Sequence, residues 1–157
     1  MNSTTTANPW NFDTEVNSPN GALKAVYKGI NEIAMGSPLI GQLYIHDLKS
    51  NSQTLLSYCA GGPALWAQDN NLLAFPVWIR RWFARTDQKL AVVDIGARSV
   101  FLSKDYYSVI ATNSFEGNLI HGVNSPIFRS RSFTLRFPND FRFSSQIENF
   151  WNTVWKI

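Results

Sequence analysis

The sequence predicts a mainly β protein, two blade-like antiparallel meanders packed as a sandwich or open barrel, with one C-terminal α-helix. Three observations predict it. Two stretches repeat one turn-then-strand pattern, β-branched and aromatic residues crowd the strand positions, and the C-terminus switches to a helical period. The 157 residues, 45% hydrophobic and 14% aromatic, suit one globular unit over residues 11–157 that buries most of its apolar surface.

The elements follow in chain order. "MNSTTTANPW" lacks the basic and apolar regions of a secretory leader, so residues 1–10 read as a flexible polar tail and the chain as cytoplasmic. "SPNGALKAVY" (Ser18 to Tyr27) is a turn running into a strand, and "AQDNNLLAFP" (Ala67 to Pro76) repeats it, with Ala25 and Ala74 in register at an offset of 49. Downstream, "GQLYIHDLKS" (Gly41 to Ser50) aligns with "QKLAVVDIGA" (Gln88 to Ala97), placing Leu43 on Leu90, Ile45 on Val92 and Asp47 on Asp94 at an offset of 47. The copies thus cover about residues 18–66 and 67–104. A spacing of about 48 residues fits a four-stranded antiparallel meander.

The near-continuous apolarity of "QLYIHDL" and "KLAVVDI" implies strands covered on both faces. The Asp closing each run is placed to accept N–H bonds from the following turn, which suits Asp47 and Asp94 better than catalysis does. "YSVIATNSF", "NLIHGVN" and "RSFTLRF" are further strand candidates. At the end, Ile147, Phe150, Trp151, Val154 and Trp155 recur at helical spacing, predicting a helix over residues 145–156 with Ser145 and Glu148 as a capping box.

These residues carry a resemblance. "SPNGALKAVY…GQLYIHDL" and "WAQDNNLLAFPVW…KLAVVDI" resemble the blade motif of the TolB/WD40-like β-propeller families, in which a Trp-Ser-Pro-Asp-Gly turn leads into Leu-Ala-Phe and later a Leu-Tyr-Val-x-Asp strand. Trp66 stands at the tryptophan position of the second copy, where the first has Asn17. The resemblance spans about Ser18 to Lys104 and implies blade-like sheets without implying a function. Four blades of about 48 residues would need roughly 190, so one chain cannot close a propeller ring.

Between the aligned strands lie "KGINEIAMGSPLI" (Lys28 to Ile40) and "VWIRRWFARTD" (Val77 to Asp87). Repeat symmetry predicts two neighbouring hairpin tips that leave the sheet as surface loops. One offers Glu32 and Met35; the other offers Trp78, Arg80, Arg81, Trp82, Phe83 and Arg85. Tryptophan and arginine concentrate interface energy, so these eight residues are the expected partner-binding set. In the plainer reading the tryptophans staple the hairpin and the arginines face solvent.

Net charge is +3, distributed as −2 over residues 1–73 (three Lys/Arg, five Asp/Glu) and +5 over residues 74–157 (eleven and six). The basic half suits an acidic surface or a polyanion, or merely solubility. Charged residues make up 16%, and no apolar run approaches the ~18 residues of a membrane span. With Cys59 alone, no intrachain disulfide can form. Cys59 and His121 have no catalytic signature around them, and the two histidines with one cysteine show no metal-ligand spacing. No cofactor, metal or membrane partner is expected, and the chain is expected to be a monomer or homodimer.

The resulting expectation is a non-enzymatic protein-binding module, similar to the immunity proteins that neutralise a cognate bacterial toxin. One alternative is a single-stranded nucleic-acid-binding protein, since "WIRRWFAR" interleaves aromatics with arginines. A second is a small hydrolase whose inter-loop cleft pairs Glu32 with Asp87, which would need those carboxylates within reach of each other or of Arg81.

Overall fold

A computed structural model of the chain describes residues 7–69, 71–81 and 86–151. It is mainly β, as the sequence predicts. The strands are β1 (Glu15–Asn17), β2 (Leu23–Glu32), β3 (Leu39–Asp47), β4 (Ser52–Ala60), β5 (Leu65–Trp66), β6 (Leu72–Arg80), β7 (Thr86–Asp94), β8 (Ser99–Ser103), β9 (Ile110–Glu116), β10 (Leu119–Asn124), β11 (Arg131–Arg136) and β12 (Phe141–Gln146), followed by helix α1 (Ile147–Phe150). A nine-stranded antiparallel sheet runs β1-β2-β3-β4-β6-β7-β8-β12, with β5 also on β6; a three-stranded sheet runs β11-β10-β9. Neither closes into a barrel.

The two meanders, β1–β4 and β5–β8, share their registers at the offsets read from sequence. Leu23 faces Asp47 and Ala25 faces Ile45 in one; Leu72 faces Asp94 and Ala74 faces Val92 in the other. Turn chemistry produces this. Asp47 Oδ1 accepts from the Lys49 and Ser50 amides at 2.9 and 3.3 Å, and Asp94 Oδ1 accepts from the Ala97 amide at 3.0 Å. Asn51 and Arg98, one step on, take matching positive φ of 52° and 53°. A carboxylate that gathers these amides fixes the turn, and the turn fixes the strand register.

Two cores result. The first lies between the meanders, joining Ala25, Tyr27, Leu43, Ile45 and Leu56 to Leu73, Phe75, Val77, Ala91 and Val93, with Ile147 and Phe150 of α1. The second joins the opposite face of β6 and β7 (Leu72, Ala74, Leu90, Val92) to Ile110, Phe115, Ile120 and Leu135 of the small sheet. Alternate residues of β6 and β7 therefore enter different cores, as the two-residue period of a strand requires. The second meander is the middle layer. Trp66 ties the layers by donating from Nε1 to the Val16 carbonyl at 2.9 Å.

Four expectations need correction. Two-sided cover holds for β7, where Leu90 to Val93 are all fully buried, but not for β3, where Tyr44 and His46 are only half-buried. Among the described residues no third layer lies over the first meander's outer face. Second, Val77–Asp87 is not a loop departing the sheet: β6 continues to Arg80 and pairs with β7 through Arg80↔Thr86. Third, Pro9 and Trp10, expected in a flexible tail, are held to the fold. Pro9 is buried, its carbonyl accepts from the Leu39 amide at 3.0 Å, and Trp10 Nε1 donates to the Gly36 carbonyl at 3.0 Å. Residues 1–6 lie outside the described residues.

Fourth, the described part of the helix is one turn. Ser145 belongs to β12, opposite Val100, so no capping box forms; Gln146 is the N-cap and makes no side-chain cap bond. Glu148 pairs instead with Arg98; a hydrogen bond from its own backbone amide first, and the Arg98 guanidinium second, hold its carboxyl below the usual carboxylate range. Ile147 and Phe150 do face the core, Phe150 edge-on to Phe75 at 6.5 Å. Val154 and Trp155 lie outside the described residues.

Candidate functional site

Of the eight expected binding residues, Glu32, Met35, Trp78, Arg80 and Arg81 lie among the described residues. Met35 is 98% exposed at the β2–β3 tip. Glu32 is also exposed, its carboxylate accepting from the Gly36 amide at 3.4 Å within its own hairpin. Trp78 is not a surface anchor: it is 5% exposed and belongs to the first core. The Gly61–Ala64 crossover causes this, since a Cβ on Gly61 would stand 3.4 Å from Trp78 Nε1 and 2.9 Å from Gln88 Nε2. Arg80 and Arg81 are exposed at the end of β6. Trp82, Phe83 and Arg85 lie outside the described residues. Both hairpins are rooted in the same apolar cluster, through Ile30, Ile33 and Ile79.

Arg81 is the best-defined of the set. Its Nη1 donates to Asp87 Oδ2 at 3.1 Å, the carboxylate side chain being only 6% exposed. Its guanidinium lies 4.1 Å from the centroid of the Tyr106 ring, and the Lys89 ammonium lies 4.4 Å from the same ring. A mostly buried carboxylate on one side and an aromatic face on the other hold the guanidinium in place.

The fold brings Tyr106 there by a contact distant in sequence. Gln88 and Tyr107 exchange backbone hydrogen bonds of 2.7 and 2.8 Å, and Gln88 Oε1 accepts from the Ile110 amide at 2.6 Å. The buried Gln88 thereby pins β7 to the segment leading into β9, and the neighbouring residues Lys89 and Tyr106 meet outside. Cations crowd at this point. Burial, Arg142 and Arg81 push the Lys89 ammonium below its usual value, against the opposing pull of Asp105. The site is therefore Arg81 and Lys89 on one ring, with Asp87 paired to Arg81 and with Arg142 and Asp105 near enough to Lys89 to act on its charge.

Sequence reasoning missed Lys89 and Tyr106. Lys89 sits inside an apolar strand run and Tyr106 in a loop, and only the Gln88–Tyr107 pairing joins them. It also missed the exposed Ile127 and Phe128, 76% and 69% accessible on the β10–β11 turn, where Arg129 lies 5.3 Å from the Phe128 ring centroid.

The remaining candidates stay apart. Cys59 is buried and its thiol is pushed up to about 11 by burial, whereas His121 is bonded to Thr134 Oγ1 at 3.0 Å on the small sheet. His46 bonds Asn51 Oδ1 at 3.0 Å. Of the hydrolase arrangement one half is present: Asp87 reaches Arg81, but Glu32 bonds its own tip. Among the described residues no group of three His, Cys, Asp or Glu side chains could hold a metal ion, and no helix is long and apolar enough to cross a membrane. In comparison with known proteins, no family model, curated protein or solved structure gives a significant match.

Proposed function

We propose that this chain is a non-enzymatic binding protein that docks an acidic protein surface on the Arg81–Tyr106–Lys89 cluster. The observation that supports the reading most is the placement of two cations, the Arg81 guanidinium and the Lys89 ammonium, at 4.1 and 4.4 Å from the centroid of one exposed ring, Tyr106. An incoming carboxylate would meet both charges at once, one of them a guanidinium already held by Asp87. Within this class, an immunity protein that neutralises a bacterial toxin in the cytoplasm is the specific form we put forward, because one-to-one capture needs such a preset surface.

Single-stranded nucleic acid is the second reading, favoured by an aromatic ring among cations. It ranks lower because the Arg81 guanidinium already occupies a face of Tyr106 on which a base would stack. The test compares a polyglutamate peptide with oligo-dT, each titrated against the protein at low and physiological salt. Tighter binding of the peptide, weakened about tenfold or more by Arg81→Glu with Lys89→Glu, is expected. Preferential oligo-dT binding, or unchanged peptide binding by the double variant, would refute the protein-docking reading.

A further inference from the structure

The three layers meet at a second place, unrelated to the Arg81 cluster. A cleft of about 270 Å³ opens between the segment leading into β1, the crossover from β4 to β5, and β9. Its apolar wall is Phe12, Val16, Pro63 and Leu65; Asn11, Asp13, Thr112 and Asn113 supply its polar groups. Phe12 is closely packed: it lies against the backbone of Gly62, where an added Cβ would stand 2.5 Å from the ring, and against the Tyr27 ring, 4.9 Å between centroids.

Thr112 makes this cleft unusual. It is 2% exposed, yet its Oγ1 has no hydrogen-bond partner. Buried hydroxyls are nearly always satisfied, because water is lost on burial and only another partner replaces it. Asn11, Asp13 and Asn113, all exposed, are further polar side chains of this lining, and none makes a hydrogen bond or ion pair among the described residues. One cleft thus joins a buried hydroxyl without a partner to three exposed polar side chains, beside an aromatic wall.

We infer that this cleft is a small-molecule site for a primary amine carried on a short apolar body. Among the described residues Asp13 is the one charged member of the lining, so the cleft is complementary to one positive charge. The ammonium pairs with Asp13, the amides of Asn11 and Asn113 orient it, the Thr112 hydroxyl gains its missing partner, and the apolar body lies along Phe12, Pro63 and Leu65.

The experiment uses three probes of one shape and different charge: phenethylamine, 2-phenylethanol and 3-phenylpropionate, titrated by protein NMR. Phenethylamine is expected to shift the amides of Asp13, Leu65, Thr112 and Asn113 and to bind about tenfold more tightly than either other probe. Asp13→Asn should abolish that preference. Thr112→Val, which keeps the shape and removes the hydroxyl, should weaken amine binding severalfold without lowering the melting temperature. Equal binding of the three probes, no shifts at these amides, or an amine preference that survives Asp13→Asn would each overturn the assignment. A melting temperature lowered by Thr112→Val would do so as well, by showing that the hydroxyl already serves the fold. Binding of polyglutamate at Arg81 has no bearing on these outcomes.

Discussion

The two meanders are alike in their turns and unlike in their burial. Ser18 donates its amide to the Leu23 carbonyl at 2.9 Å, and Ala67 donates to Leu72 at the same distance. Leu48 meets the Ala22 carbonyl and Ile95 meets that of Asn71 in the same manner. The first meander nonetheless has one covered face and the second has two. Short-range hydrogen bonds set the register of each unit; burial depends on which layers assemble beside it. A repeat can therefore copy its geometry faithfully while the demands on its side chains diverge.

The largest expected effect probes that divergence. Phe75 is fully buried in the middle layer, and its counterpart at an offset of 49, Val26, is only half-buried. Phe75→Ala should cost about 3–5 kcal/mol in urea unfolding, and Val26→Ala about 1 kcal/mol or less. Comparable losses would mean that the outer meander is as enclosed as the inner one.

Alkaline titration gives the next effect, at the covered face that both meanders share. The Cys59 thiol loses its proton near pH 9 when the chain is unfolded, and burial raises that to about 11 in the folded protein. Between those values the unfolded chain holds fewer protons, so stability is complete below pH 9 and falls as pH rises towards 11, by about 2–3 kcal/mol in all. Tyr107, pushed up to about 12 mainly by burial, extends the decline in the same direction. Urea midpoints at pH 8 and pH 10.5 measure it, and Cys59→Ala should flatten the difference. A midpoint that does not move between those pH values would place the thiol in water.

The smallest effect tests the likeness. Asp47→Ala and Asp94→Ala each remove a turn acceptor and should each cost about 1 kcal/mol. Asp94 should be the more sensitive, since of its two bonds the one from Asn71 Nδ2 at 3.0 Å is part-buried, whereas both bonds to Asp47 are exposed. Losses differing severalfold would show that the turns are less equivalent than their geometry.

What was legible in the sequence follows the same division. Asp47, Asp94 and the turns ahead of β2 and β6 act within a few residues, so their roles could be read directly. The second cover over β6 and β7 comes from strands tens of residues away, and apolarity alone made β3 look as enclosed as β7. Trp78 was misplaced because the Gly61–Ala64 crossover that buries it leaves no mark on the residues around it. The helix start failed for a local reason: Ser145 fits a capping box and a strand equally well, and pairing with β8 decided between them. Within the site, Arg81 was legible as an exposed cation, but its ring and its fellow cation required the pairing of Gln88 with Tyr107.

The long sheet ends in β1, three residues long, and in β12, whose register breaks between Phe143 and Ser145. An open sheet with straight, lengthy margins would offer its free N–H and C=O groups to another chain as a template for fibril growth. Here one margin is too brief and the other too kinked to guide an added strand. At these two margins the long sheet can thus remain unclosed at high concentration without taking on a strand from a second copy.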